Sequence, residues 1–261
     1  MLEDPSLENP ALDKSIDAPR PDPYASLKIP ELRYLLVSRA FATFASRALA
    51  VVIGYQIYQL TKDPLALGLL GLVEVIPALS LALFGGHIAD RNDRRAIILI
   101  TDAVSILCAL LFAFLSRPEG TSLWGLYGVV FLAGIARGFA EPAFSALEGQ
   151  VIPRPLMVNA SSWLSSVGQG CAIVGPALGG FAYAAFGARG TYLLIALFFS
   201  FAWIGIFLIR RRPVPPPPEG EPILQSISLG VKYVFQNQVL VGSMALDLFA
   251  VLFGGAIALL P

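Results

Sequence analysis

The sequence predicts an all-α membrane protein with seven transmembrane helices. Hydrophobic residues make up 56% of its 261 positions, charged residues make up only 14%, and the mean hydropathy is +0.71. Soluble domains carry about a quarter charged residues, so this composition indicates a chain surrounded by lipid. Seven apolar runs are each long enough to cross a hydrocarbon core of about 30 Å, which takes roughly 20 helical residues.

The apolar runs define the predicted spans in chain order. Each span should be helical, because lipid offers no partner for backbone N–H and C=O groups and a helix satisfies them internally. The spans are Tyr34–Leu60, Leu65–Ala89, Ala96–Leu115, Leu123–Leu147, Ser161–Phe186, Thr191–Ile209 and Val239–Leu260.

The segments outside the spans are polar. Residues 1–30 are acidic and proline-rich and lack the apolar core of a signal peptide, so we predict a disordered cytoplasmic tail. Residues 31–209 then form a six-helix bundle, and residues 239–261 form a seventh span. Between them, residues 210–238 begin with three arginines and a run of prolines. This linker ends in a predicted interfacial helix with apolar residues at helical spacing, namely Leu224, Ile227, Val231 and Phe235.

The distribution of positive charge predicts the orientation. If the N-terminus is cytoplasmic, twelve Lys and Arg residues outside the spans lie on the cytoplasmic side and three lie opposite. Cytoplasmic segments of membrane proteins carry the excess of Lys and Arg. We therefore expect a multi-pass protein of the cell membrane with its N-terminus inside.

The segment between spans 2 and 3 carries the most specific motif. It runs Gly86-His87-Ile88-Ala89-Asp90-Arg91-Asn92-Asp93-Arg94-Arg95. Asp90 and Arg94 are four residues apart and can pair if this turn is helical. An ion network of this kind can close one face of a bundle in one state and break in another, and we place Glu148, at the same end of span 4, as its third member.

This segment resembles the major facilitator superfamily signature, G-x-x-x-D-R-x-G-R-R/K. The matching residues are Gly86, Asp90, Arg91, Arg94 and Arg95, whereas Asp93 stands where the common pattern has glycine. The D-R-x-D-R-R form is similar to the branch that includes siderophore and macrolide exporters. The resemblance implies the N-terminal six-helix bundle of that fold, a 3+3 inverted repeat, followed by the first helix of a second bundle. A complete member has twelve helices, so we expect this chain to be a fragment that needs its second half.

Span 5 carries a second resemblance. Gly175-Pro176-Ala177-Leu178-Gly179-Gly180 is similar to the G-P-x-x-G-G element of exporter-type major facilitators. Gly175 and Gly179 give a G-x-x-x-G face for close helix packing, and Pro176 removes one helical hydrogen bond. Gly85-Gly86 in span 2 weakly resembles Gly179-Gly180, because in both cases an arginine follows nine residues after the second glycine.

Seven charged residues fall inside predicted spans: Arg39, Arg47, Glu74, Asp102, Arg137, Glu141 and Asp247. Each costs roughly 2.5–3.5 kcal/mol at mid-membrane, so we expect them to face a cavity or one another. Arg137 can pair with Glu141 on one helix, Arg47 can reach Glu74 across spans 1 and 2, and Asp102 can lie near the interface. Glu74, Glu141 and Asp247 are candidates for proton coupling, with structural pairing as the alternative. On the first reading, Glu74→Gln abolishes proton-coupled transport and leaves folding intact.

The combined prediction is a secondary transporter, with proton-driven export of a small hydrophobic or amphipathic molecule by alternating access. The alternatives are an importer of the same fold and a non-transporting scaffold or receptor-like protein. The sequence has no P-loop, no zinc spacing and a single histidine, His87, so we expect neither an enzyme nor a cofactor. Cys108 and Cys171 lie in apolar runs and are expected to be unpaired core residues. The expected partners are a small-molecule substrate, the bilayer and the second half-bundle, and no nucleic acid.

Overall fold

The computed structural model describes residues 22–116, 121–212 and 234–257. Regular structure in these residues is entirely helical, which confirms the fold class. The helices are α1 (Pro30–Thr61), α2 (Pro64–Arg91), α3 (Arg94–Leu115), α4 (Leu123–Val151), α5 (Met157–Leu208) and α6 (Gln238–Ile257), with short 3-10 turns at Ser26–Lys28 and Arg154–Leu156. Helices α1 to α5 are long and apolar enough to cross a membrane.

Helix α5 contains two of the predicted spans. Its 52 residues would extend about 78 Å as one helix, more than twice the thickness of a hydrocarbon core. Gly187 breaks it, with φ 66° and ψ −177°, a conformation open essentially to glycine alone. The chain reverses there. Residues 157–186 therefore form the predicted fifth span and residues 188–208 the sixth.

Contacts with α1 establish this reversal. In the first half of α5, Gly179 packs against Ala48 and Tyr183 contacts the Tyr55 ring, so this half runs parallel to α1. In the second half, Tyr192 donates a hydrogen bond to Gln56, whereas the later Gly205 packs against Ser38 near the start of α1. The second half is therefore antiparallel to α1.

Helices α2 and α4 form a second parallel pair. The Tyr127 hydroxyl donates to the Ala66 carbonyl at 2.9 Å, and further along the same helices Gly138 packs on Ala78. An inverted 3+3 repeat relates helix 1 to helix 4 and helix 2 to helix 5. The α2–α4 pair is thus the counterpart of the pair between α1 and the first half of α5, as the resemblance implied.

Glycines form the closest contacts in both pairs. A Cβ on Gly179 would lie 2.9 Å from the Cα of Ala48, and a Cβ on Gly85 would overlap the backbone of Gly138. The second glycine of each pair, Gly180 or Gly86, has open space around its Cα. The two glycine pairs noted in the sequence therefore occupy corresponding contacts, but only the first member of each lies at a helix interface.

The apolar core is divided between the two ends of the bundle. One cluster contains Ile57, Phe112, Leu126 and Tyr192, and the other contains Leu32, Leu35, Leu147 and Ile206. Large apolar side chains also cover the outer surface, including Leu72, Leu79 and Leu83 on α2. An apolar exterior is what a lipid solvent selects.

The predicted tail is shorter than the sequence indicated. Residues 22–29 were assigned to the disordered tail, but the Asn159 side chain donates to the Pro23 carbonyl and Ser26 is buried. Trp163 also donates its indole N–H to Pro23 at 3.0 Å, so α5 holds this segment against the bundle. Residues 1–21 of the tail and residues 213–233 of the linker, with most of the predicted interfacial helix, lie outside the described residues.

Gly179→Ala should destabilise the protein by about 1–3 kcal/mol, because the added methyl group overpacks the α1 contact. Gly180→Ala is the matched control and should be neutral or slightly stabilising, since its methyl group meets nothing within 4 Å and alanine favours helix. Thermal unfolding in detergent measures both. Equal destabilisation by the two variants would contradict the assigned contact.

Candidate functional site

A cavity of about 380 Å³ lies among α1, α2, α3, α4 and the second half of α5. Its walls combine small and apolar side chains, such as Ala42, Val130 and Phe144, with charged ones. Six of the seven charged residues predicted inside spans line this one cavity: Arg39, Arg47, Glu74, Asp102, Arg137 and Glu141. The seventh, Asp247, is exposed on α6 and does not line the cavity.

Two ion pairs cross the cavity between helices. Arg137 on α4 contacts Glu74 on α2 at 2.7 Å, and Arg39 on α1 contacts Glu141 on α4 at 3.3 Å. The guanidinium of Arg39 also lies 4.8 Å from the centre of the Phe144 ring, a favourable cation–π distance. These pairs connect α4 to α2 and to α1.

The pairs expected from the sequence were wrong. Arg137 does not pair with Glu141, its neighbour one turn along α4, and Glu74 does not pair with Arg47. Pairing within α4 would leave Glu74 and Arg39 without partners inside the bundle, where an unpaired charge is costly. Pairing between helices satisfies all four charges. Arg47 also lines the cavity, and it forms no ion pair within the described ranges 22–116, 121–212 and 234–257.

Asp102 is the buried member of the charged residues that line the cavity. It lies at the cavity wall with 8% of its surface exposed, which the sequence analysis did not predict. Its Oδ2 atom has no hydrogen-bond partner. Among the residues that the structure describes, no cation lies within ion-pair distance of it. The burial results from the packing of the other helices around α3, which the distance of Asp102 from the helix start does not define.

The signature segment forms an extended turn and not the helical one expected. Asn92 and Asp93 have extended backbones between α2 and α3. Asp90 nevertheless pairs with Arg94 at 3.8 Å, with 75% of the Asp90 side chain exposed, and Arg94 also donates to the Ala89 carbonyl. Arg95 donates to the carbonyls of Ile206 and Phe207 at the end of α5. Arg91 is the last residue of α2, and Gly86 lies one turn earlier in open space.

Glu148 does not form an ion pair with this segment. Its charged neighbours in the described part of the chain are Arg39 and Glu141. The predicted three-member network is therefore split: Asp90 and Arg94 stay in the turn, and Glu148 belongs with the charges at one end of the cavity. Residue spacing placed Glu148 at the correct end of α4 but did not define the face on which it lies.

Asp93 has two contacts that the sequence analysis missed. Its Oδ1 atom caps α3 by accepting from the Ala96 N–H at 3.3 Å, and its Oδ2 accepts from Arg211 at 2.7 Å. Arg212 pairs with Glu31 at the start of α1 and donates to the Gln150 carbonyl. An aspartate directly before a helix is a recognisable N-cap signal, so the first contact was accessible from the sequence. The contact with Arg211, 118 residues away, was not.

Sequence comparison matches residues 21–261 to a family described as transmembrane secretion effector. The chain is 26% identical to YfiS of Bacillus subtilis, an uncharacterized MFS-type transporter, over 68% of this chain and 42% of YfiS. It is 25% identical to the enterobactin exporter EntS of Salmonella paratyphi A, over 75% of this chain and 47% of EntS. It is 28% identical to the staphyloferrin A transporter of Staphylococcus aureus, over 52% of this chain and 34% of that protein. The chain spans less than half the length of each.

Solved structures share the fold. The POT family transporter PepTSo superposes with a TM-score of 0.61 at 19% identity, over 74% of this chain and 40% of PepTSo. A second POT family transporter, solved with a thioalcohol-conjugated peptide, gives 0.60 at 15% identity, over 86% of this chain and 47% of that one.

Variants of the Glu74–Arg137 ion pair should show how strongly the two side chains depend on each other for the stability of the fold. Glu74→Gln and Arg137→Gln each leave one charge unpaired, whereas the double variant removes both, so the double variant should be more stable than the sum of the singles by about 1 kcal/mol. Both side chains are partly open to the cavity, which limits the value. A double-mutant cycle by thermal unfolding measures it. The matched cycle of Arg137 with Glu141 should give a smaller coupling, and the reverse order would contradict the pairing.

Asp93→Ala should destabilise the protein by about 1 kcal/mol, because it removes the cap of α3. Asp93→Asn keeps an oxygen for the cap and loses only the charge opposite Arg211, whose side chain is 77% exposed, so a few tenths of a kcal/mol are expected. Thermal unfolding of both variants separates these contributions. Equal losses would mean that the Arg211 contact, and not the cap, is the stabilising one.

Proposed function

Because this chain belongs to the transmembrane secretion effector family of the major facilitator superfamily, we propose that the whole protein is a secondary active exporter that works by alternating access. The observation that carries the proposal is the charged cavity inside the bundle. In this fold, substrates bind near the bilayer midplane, between helices of the two halves. A cavity with apolar walls and several guanidinium and carboxylate groups suits a small amphipathic molecule.

The names of relatives support the direction of transport. EntS is named as an exporter of enterobactin, and the Staphylococcus protein as a transporter of staphyloferrin A. From these names we extend to this protein only the activity, which is the export of a small molecule. The proposed orientation has the N-terminus and the signature turn in the cytoplasm, because Lys and Arg are concentrated on that side.

The ion pairs at one end of the bundle can form part of the conformational cycle. Arg211–Asp93 and Arg212–Glu31 connect the end of α5 to the starts of α3 and α1. The pair Asp90–Arg94 closes the neighbouring turn. Pairs near an aqueous surface are weak individually, so they can break and re-form as a bundle end opens and closes.

Arg47 is our candidate contact with the substrate. Its guanidinium lines the cavity without an ion-pair partner in the described residues, whereas Arg39 and Arg137 are each paired. A guanidinium with free N–H groups can bind an acceptor oxygen of the substrate. The proposed driving force is the proton gradient.

Inside-out vesicles that contain the native gene product test the proposal. With an acid interior, they should accumulate labelled amphipathic compounds, and a protonophore should abolish the accumulation. Arg47→Gln should raise the KM for such a compound at least about tenfold, since a hydrogen bond to a charged group contributes about 1.5–3 kcal/mol. Arg189→Gln, an exposed arginine of α5 outside the cavity, is the control and should leave the KM unchanged.

Other results would overturn separate parts of this proposal. Uptake only by right-side-out vesicles would indicate import. Accumulation that persists with a protonophore would exclude the proton gradient as the energy source. Equal effects of Arg47→Gln and Arg189→Gln would exclude a specific contact between Arg47 and the substrate.

A further inference from the structure

We propose that Asp102 is the proton-binding residue of this protein and that it carries its proton in the state described here. Its role in transport rests on the proposed function, whereas its protonation does not. The carboxyl group is buried on the inner side of α3, lines the cavity, and has one oxygen without a hydrogen-bond partner. These features distinguish it from the other carboxyl groups of the cavity.

The other two cavity carboxylates already have cations beside them. Glu74 contacts Arg137 at 2.7 Å and Glu141 contacts Arg39 at 3.3 Å. A guanidinium at hydrogen-bond distance stabilises the ionised form of a carboxylate. Both carboxylates therefore already have a cationic partner, which Asp102 lacks among the described residues.

Asp102 faces the opposite situation. Burial of an isolated carboxylate is so costly that such a group binds a proton instead. A neutral carboxyl group still leaves a polar oxygen unsatisfied, which also costs free energy. This cost is smaller than that of an unpaired buried charge. The structure thus favours the acid form at this position, although the side chain borders a cavity that water can enter.

The groups that line the cavity come from all the neighbouring helices. The titratable and charged ones are Arg39 and Arg47 on α1, Glu74 on α2, Asp102 and Cys108 on α3, and Arg137 and Glu141 on α4, whereas α5 contributes the apolar Phe199. With Asp102 protonated, the three guanidiniums of Arg39, Arg47 and Arg137 outnumber the two carboxylates of Glu74 and Glu141. Loss of the proton from Asp102 adds a third carboxylate and makes the positive and negative charges equal. The ionised form therefore becomes acceptable once water or a polar group reaches Asp102.

This arrangement gives a simple exchange. A hydrogen-bond donor or cationic group of the substrate that reaches Asp102 stabilises the carboxylate. The O–H bond of the carboxyl group then breaks, and the proton passes to cavity water and leaves on the side to which the cavity is open. Rebinding of a proton from the opposite side removes the acceptor charge and weakens the hold on the substrate. Because the proton and the substrate compete for one carboxyl group, binding of one favours release of the other, as antiport requires.

Infrared spectroscopy of the native gene product in lipid vesicles tests the protonation directly. At neutral pH, the C=O stretching band of protonated carboxyl groups should contain a component that Asp102→Asn removes. The double variant Glu74→Gln/Arg137→Gln removes a cavity carboxylate together with its cation, and as the matched control it should retain that component. Asparagine is close in size to a neutral carboxyl group, so the variant should fold, and Asp102→Leu provides a second variant of similar volume. A carboxyl band unchanged by either Asp102 variant at every pH would overturn the proposal.

Transport tests the coupling role separately. Asp102→Asn should lose accumulation driven by a pH gradient, down to the level seen without a gradient, and should retain exchange of labelled for unlabelled substrate. Full gradient-driven accumulation by this variant would refute the coupling role. If the wild-type protein transports nothing, the proposed function fails, and the infrared result still decides whether Asp102 holds a proton.

Discussion

A charge inside a membrane-spanning bundle needs a partner or water, and this requirement organises the structure. Six charged residues gather around one cavity, and four of them form pairs between different helices. Each pair fixes the rotation of two helices, because both side chains must point to the same space. Helix α4 contributes to both pairs, which connect it to α1 and to α2. The helix arrangement and the chemistry of the cavity thus have a common physical cause.

Close helix packing makes this arrangement possible. Glycines at the contacts of α2 with α4, and of α5 with α1, let the backbones approach until side chains span the remaining distance. Gly187 reverses α5, so that its second half returns along α1 and α3. The arginines that follow this half connect to Asp93 and Glu31 at one end of the bundle. A movement at that end is therefore linked mechanically to the helices that line the cavity.

The fold was largely predictable, whereas the side-chain pairs were not. Hydropathy defined the spans because span length and apolar composition are local properties, and even the reversal near Gly187 fell between two predicted spans. The identity of ion-pair partners depends on how neighbouring helices are rotated, which spacing on one helix does not contain. For this reason the expected Arg137–Glu141 pair was wrong. The burial of Asp102 likewise depends on packing around α3, which its distance from the helix start does not contain.

The central claim is that the charged cavity inside the bundle contains water, whereas the outer surface of the bundle contacts lipid. Thiol accessibility tests this claim most directly. Ser46 on α1 lines the cavity, whereas Leu107 on α3 is exposed on the outer surface and does not line it. In a background with Cys108→Ala and Cys171→Ser, which removes both free thiols of the described residues, a charged, water-soluble thiol reagent should modify Ser46→Cys and leave Leu107→Cys unmodified in lipid vesicles. Modification of Leu107→Cys together with protection of Ser46→Cys would place water and lipid on the opposite faces and contradict the account.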